Sequence, residues 1–317
     1  MPQEIIGHEK VLSFLEKSLK NQRLSHAYLF VGPEGVGKTT VAEWLIKKVL
    51  GPSGFDHPDV TVVNRLVDEK TDKIKSEIVV KQVRELRERL SMSGFLGGYK
   101  FAFIEEADVL NTEASNALLK TLEEPAGDTT LILRATSPDR LLPTIVSRCQ
   151  VIRFTPVSRE KITDALIARG VLRVEAESLA ALSSGRPGYA IHLLKDEETR
   201  SLEETSVQQF IEIINAPVSA RLAKAATWLP KDESNKKEQL KNLLDRWEWL
   251  LRDVFLLSAN IDDLAARAVA YPDLISLAKI KKNNHWVTAL QTLREVKNDL
   301  TLNVNPTLAL EHLFLKL

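Results

Sequence analysis

Gly32-Pro33-Glu34-Gly35-Val36-Gly37-Lys38-Thr39 is the stretch of this 317-residue chain whose residue types and spacing best suit chemistry. It fits G-x-x-x-x-G-K-[ST], in which Gly32 and Gly37 let the backbone wrap its N–H groups around phosphates. Lys38 would bring a full positive charge to the β- and γ-phosphates, and the Thr39 hydroxyl could serve Mg²⁺. The amino end of a following helix adds unpaired donors and partial positive charge to the same anion. The bland alternative is a glycine turn that happens to carry a lysine. Against it, a strand, a loop and a helix all fall where phosphate binding needs them. Hydrolysis would further need carboxylates, and "FAFIEEAD" ends an apolar strand in Glu105 and Glu106. Acids at the carboxyl end of a strand in an open α/β sheet face the ligand crevice. Paired glutamates more often begin a solvated loop, so the upstream phosphate loop decides for the functional reading.

The elements that must hold these groups follow from periodicity. Short apolar runs alternate with amphipathic segments, the rhythm of a parallel α/β sheet. The pattern predicts strands at Ala27–Val31, Asp59–Val63, Lys100–Ile104, Thr130–Ala135 and Gln150–Phe154. It predicts helices over His8–Lys20, Lys38–Leu50, Val80–Met92, Thr112–Glu123 and Leu141–Val146. Phe101 to Ile104 are apolar throughout, as in a parallel strand covered on both faces. Beyond Phe154 only helical patterns follow. Leu240, Leu243, Leu244, Trp247, Leu250, Leu251, Val254 and Phe255 keep a three-four spacing, which predicts one long helix over Asn235–Leu257. "DESNKKEQ" before it reads as a charged connector, and "NVNP" at 303–306 as a break before the last helix.

Composition narrows the classes. The 43 basic and 43 acidic side chains cancel, so no global field draws the molecule to nucleic acid, and any DNA contact must be local or shared. Lys120, the pair Lys236-Lys237 and the cluster Lys279, Lys281, Lys282 read as solvated charge. A single cysteine excludes an internal disulfide framework and a multi-cysteine zinc module. The first residues carry acids and lack the apolar core of a signal peptide, and no apolar run reaches a membrane span. The expectation is a cytoplasmic protein that does not meet a membrane.

"NALLKTLEEP" (Asn116–Pro125) and "LLPTIVSRCQ" (Leu141–Gln150), with "IIGHEKV" near the start, "HPDV" at His57–Val60 and the closing "NVNPTLALEHLFLKL", carry a resemblance. Together they resemble the clamp-loader branch of the AAA+ ATPases, and within it the delta-prime and gamma/tau subunits of bacterial DNA polymerase III. The resemblance implies an α/β P-loop AAA+ domain over 1–156, a small helical lid over 157–199 and an all-α collar over 200–317. It implies ATP and Mg²⁺ as ligands. Gly32, Gly35, Gly37, Lys38, Thr39 and Thr40 would bind phosphate, with Thr39 and Glu105 serving the metal. Ile5, Ile6 and Gly7 would line the adenine pocket. Glu105 and Glu106 stand at the Walker B acids and Thr136 at the sensor-one position. Ser147-Arg148-Cys149 matches the SRC motif, whose arginine acts in trans on a neighbour's nucleotide. The implied partners are delta and gamma/tau in a hetero-pentameric ring, with the sliding clamp and primer-template DNA met through the assembled complex.

Three departures bear on the family's ATPase activity. Glu105 replaces the usual aspartate, and the extra methylene moves the carboxylate relative to an exacting metal shell. Gly188, in Gly185-Arg186-Pro187-Gly188-Tyr189-Ala190, falls where active gamma subunits carry a lid arginine; Arg186 is its nearest substitute. The four-cysteine zinc module of many relatives is missing. These departures favour a delta-prime-type subunit that supplies an arginine finger. The alternatives are a gamma/tau-type motor that hydrolyses ATP in its own site and a stand-alone AAA+ ATPase outside replication.

Overall fold

The computed structural model describes residues 5–68, 74–92, 94, 98–125, 127–229, 233–262, 265–302 and 304–317. The chain divides into two compact units, residues 1–161 with 186–189, and residues 162–185 with 190–317.

The first unit opens with α1 (Glu9–Lys20), β1 (Ala27–Val31) and α2 (Lys38–Leu50). It continues through β2 (Val60–Val63), α3 (Val80–Ser91), β3 (Lys100–Ile104), α4 (Thr112–Glu123), β4 (Thr129–Ala135), α5 (Pro143–Val146) and β5 (Gln150–Arg153). The strands form one parallel sheet in the order β2-β3-β4-β1-β5. Alternation sorts its side chains into two cores. Leu29 and Val31 of β1 pack with Leu131, Leu133 and Ala135 of β4 and with α3 and α4. Tyr28, Phe30, Phe103 and Ile132 pack on the other face with Leu12 and Leu15 of α1 and Val41 and Leu45 of α2. Arg134, between Leu133 and Ala135, therefore belongs to the α2 face. Two apolar layers explain why every residue of β1 is buried. Helix α4 starts where Asn111 accepts from the Ala114 amide at 2.8 Å, an N-cap that satisfies one orphan donor.

The strand order has a consequence for chemistry. β4 lies between β1, which feeds the phosphate loop, and β3, which ends in the acids. Phe30 faces Arg134 across one ladder and Ile104 faces Leu133 across the other. The carboxyl end of β4 is thus interposed between loop and acids.

The second unit is helical. After α6 (Arg159–Ile167) come α7 (Arg173–Ser183), α8 (Pro187–Lys195), α9 (Glu197–Asn215), α10 (Val218–Trp228) and α11 (Glu233–Ser258), with α6 and α8 both crossing the division. The last three are α12 (Asp273–Ala278), α13 (Asn283–Thr301) and α14 (Pro306–Lys316). Helices α9 to α14 share one core around Trp247, whose ring lies 5.4 Å from Phe210, 5.6 Å from Trp228 and 5.9 Å from Phe314. The long apolar stripe predicted over Asn235–Leu257 lies within α11. The expected connector differs: residues from Glu233 onward are already helical, because Glu, Lys and Gln are strong helix formers. Asp232 of that stretch and Asn303 of the predicted break lie outside the described residues. Asn305 caps α14 by accepting from the Thr307 amide at 2.9 Å. Arg267 is fully buried in this unit and faces Glu203 at 3.4 Å, while Asp253 accepts from the Arg267 amide at 2.9 Å.

No helix among the described residues is long and apolar enough to cross a membrane.

Candidate functional site

The phosphate loop joins the end of β1 to the start of α2, as the sequence predicts. Its glycines answer to close packing as well as to conformation. Gly35 has φ +73°, and a Cβ there would lie 3.2 Å from the Tyr189 backbone nitrogen. The Gly188 amide donates to the Gly35 carbonyl at 2.8 Å, and a Cβ on Gly188 would meet that oxygen at 2.9 Å. Position 188 therefore has no room for the lid arginine of active gamma subunits. Arg186 lies two positions earlier, with its guanidinium 4.3 Å from the Tyr189 ring centre as a cation–π pair.

Lys38 is buried and turned onto its own loop, donating to the carbonyls of Gly32 and of Pro33, the latter at 2.8 Å. Burial, with the nearby Arg134 charge second, lowers its pKa from 10.5 to about 8. A phosphate would compete with those carbonyls for the ammonium. Gly37 leads into α2 with φ +113°, and Thr40, half-buried, follows Thr39 in the first turn.

Ile5 packs against the core that holds Val36 and Val41, Ile6 is buried, and Gly7 is followed by His8, whose Nε2 lies 2.8 Å from the Val36 carbonyl. Desolvation lowers the His8 pKa, which fits a neutral ring donating Nε2–H to that oxygen. His8 also meets Phe154 edge to face at 4.9 Å. The amino-terminal segment is thereby tied to the loop itself.

The acids are engaged. Glu106 accepts two hydrogen bonds from Arg65, at 2.7 and 2.9 Å, a bidentate pair that fixes its carboxylate. The Thr136 hydroxyl donates to Asp108 at 2.6 Å, and its amide to the same carboxylate at 3.3 Å, so this strand-end threonine is directed to Asp108.

Arg134 sits at the centre. Its Nε donates to the Glu105 carbonyl, its Nη1 donates to Thr39 Oγ1 at 3.1 Å, and its Nη2 lies 3.7 Å from Glu105 Oε1. The two side chains expected to hold Mg²⁺, Thr39 and Glu105, thus converge on a guanidinium. Two unit charges of like sign 4 Å apart repel by about 4 kcal/mol at an effective dielectric near 20, and a dication doubles this. These residues do not fit a divalent ion while Arg134 stands there.

Arg148 lies elsewhere in the same unit, in the turn after α5. Its Nη1 donates to the Thr144 carbonyl at 3.0 Å and its Nη2 pairs with Glu123 at 2.6 Å. The two side chains are 37% and 48% exposed, so this is a surface pair. Cys149 packs partly buried beside α4 and β4, and burial pushes its thiol up to about 12. It is an inert packing group.

His8, Arg65, Asp108 and Arg134 join the site without a motif that assigns them a role in it. His8 and Asp108 fall inside the quoted stretches "IIGHEKV" and "FAFIEEAD", and Arg134 has its own signal, a charge inside the otherwise apolar strand "TLILRAT".

Comparison with known proteins places this site in a family. The model of the family described as "DNA polymerase III, delta subunit" matches residues 7–158. DNA polymerase III subunit delta' of Bacillus subtilis is 30% identical over 97% of this chain and 95% of its own length. The delta' subunit of Pseudomonas aeruginosa is 37% identical over 51% of this chain and 54% of its own. The tau subunit of B. subtilis is 29% identical over 77% of this chain but only 46% of its own. With near-complete alignment to a delta' subunit and a matching family model over the P-loop unit, the chain belongs to the delta-prime subunits of DNA polymerase III, in the clamp-loader branch that its motifs resemble.

Proposed function

We propose that this clamp-loader subunit works by assembly: in a hetero-pentameric ring with delta and gamma/tau it presents Arg148 to ATP held by a neighbour. In that ring it supports ATP-driven loading of the sliding clamp onto primed DNA. One observation carries the reading. Lys38, Thr39, Glu105 and Glu106 are all engaged by groups of their own chain, whereas Arg148 lies at the surface in an exposed pair. Such pairs contribute only about 0–1 kcal/mol. The Arg148 guanidinium can therefore exchange Glu123 for a more strongly charged partner. A planar, permanently charged fork suits the charge that develops on a transferred phosphoryl group. Supplied from another chain, it makes hydrolysis conditional on assembly.

The chain's own P-loop retains the backbone donors and helix amino end that favour a nucleotide's phosphates, and ATP is the ligand proposed for it, with Ile5, Ile6 and Gly7 bordering the base. Turnover there is not the proposed contribution. Glu106 is held by Arg65, and the lid position at 188 has no space for an arginine. Residues 157–199 would serve as the lid and 200–317 as the collar that joins the ring. DNA and the sliding clamp would be met through the complex.

A steady-state ATPase assay on the isolated chain tests this. The expected result is no turnover above background. Robust turnover abolished by Lys38→Ala would instead identify a gamma/tau-type motor. The same turnover in a chain that fails to co-purify with other clamp-loader subunits would identify an ATPase outside replication.

A further inference from the structure

A buried parallel strand carries an arginine only at a cost, unless its donors are used. Arg134 uses them on the two residues that this type of site reserves for metal. Nη1 donates to Thr39 Oγ1 at 3.1 Å, Nε donates to the Glu105 carbonyl, and Nη2 faces the Glu105 carboxylate at 3.7 Å. A guanidinium has five N–H donors. With one committed to Thr39 and one to the Glu105 carbonyl, donors remain for a phosphate oxygen arriving at the loop.

The position is dictated by the sheet. β4 separates β1 from β3, and register sets Arg134 opposite Phe30, one residue before Val31 leads into the loop. An arginine one residue earlier or later would point into the opposite core, among Leu133 and Ala135. Glu105, one methylene longer than an aspartate, brings its Oε1 to 3.7 Å from Nη2.

We infer that the Arg134 guanidinium takes the place of the divalent cation in this P-loop, so that a nucleoside triphosphate is held here without metal. This rests on the nucleotide reading above and goes beyond it. The site then binds a nucleotide as a fixed structural ligand. It lacks the metal that would bridge and polarise the terminal phosphates for transfer.

The test is a binding titration of the full chain with ATP, once with Mg²⁺ and once with EDTA, on the native protein and on Arg134→Leu. Leucine suits the apolar strand, and a thermal melt reports whether the variant folds. The native affinity is expected to differ by less than about threefold between the two conditions. Arg134→Leu is expected to bind at least about tenfold more weakly in EDTA than in Mg²⁺. Mn²⁺ with ATP gives a second readout by electron paramagnetic resonance: protein-bound Mn²⁺ is expected in Arg134→Leu and not in the native chain. A native affinity that collapses tenfold or more in EDTA, or a native protein-bound Mn²⁺ signal, overturns the inference and leaves the nucleotide reading intact. Native protein that binds ATP in neither condition overturns both. An Arg134→Leu chain that folds and still binds ATP equally well in EDTA overturns the role of Arg134.

Discussion

Two arginines in the same unit are used in opposite ways. Arg134 projects from the centre of the sheet and ties Thr39 to Glu105 inside the P-loop site. Arg148 stands in a surface turn, where it meets the Thr144 carbonyl and exposed Glu123. The first is costly to remove from its surroundings and is committed to its own chain. The second is weakly held and available. The proposed role calls for that combination, a P-loop site engaged by its own chain's groups and a surface cation whose exposed pair can be exchanged.

The largest effect expected from breaking this contrast is at Arg148. Arg148→Lys keeps the charge and loses the planar fork, so the assembled complex should lose most of a turnover factor on the order of 10³. Turnover close to native would mean that charge alone is used. Next comes Gly188→Ala, where the new methyl meets the Gly35 carbonyl at 2.9 Å. Overpacking of this kind costs about 1–3 kcal/mol in denaturant unfolding. A gain of the usual ~0.5–1 kcal/mol for Gly→Ala in a helix would show that the loop is not tightly backed.

Acidity supplies a third test. Burial, and then the Arg134 charge, lowers the Lys38 pKa to about 8. Phosphate binds the ammonium form, so ATP affinity should fall as pH rises through that value, by about tenfold between pH 7 and 9. Arg134→Leu removes the second cause and should shift the fall to higher pH. An affinity flat over this range would mean that Lys38 is not the phosphate's partner. The smallest effect is at Glu123. Glu123→Gln deletes an exposed pair and should change stability by less than about 1 kcal/mol, with turnover of the complex within about twofold. A larger stability loss would make Arg148 a structural group.

Much of this was legible beforehand where local chemistry decides. β1, α2, β3 and α4 have the bounds that apolar runs, the glycine loop and the Asn111 cap imply. Other ends differ by a residue or two, as at Val60 and Arg153. Contacts set by strand order were illegible. A charge within "TLILRAT" announces that Arg134 needs partners, yet only the insertion of β4 between β1 and β3 says which. Arg65 reaches Glu106 across 41 positions and Asp108 reaches Thr136 across 28, with no motif linking either pair. The charged start of α11 reads as a connector in sequence because a solvated helix turn and a connector share a composition.

The most direct test compares two variants of this chain in the reconstituted clamp loader, measuring ATP turnover with sliding clamp and primed DNA. Lys38→Ala is expected to leave turnover within about twofold of native. Arg148→Ala is expected to lower it on the order of 10³-fold at any neighbouring site that it completes. Loss of turnover with Lys38→Ala and none with Arg148→Ala would contradict the account.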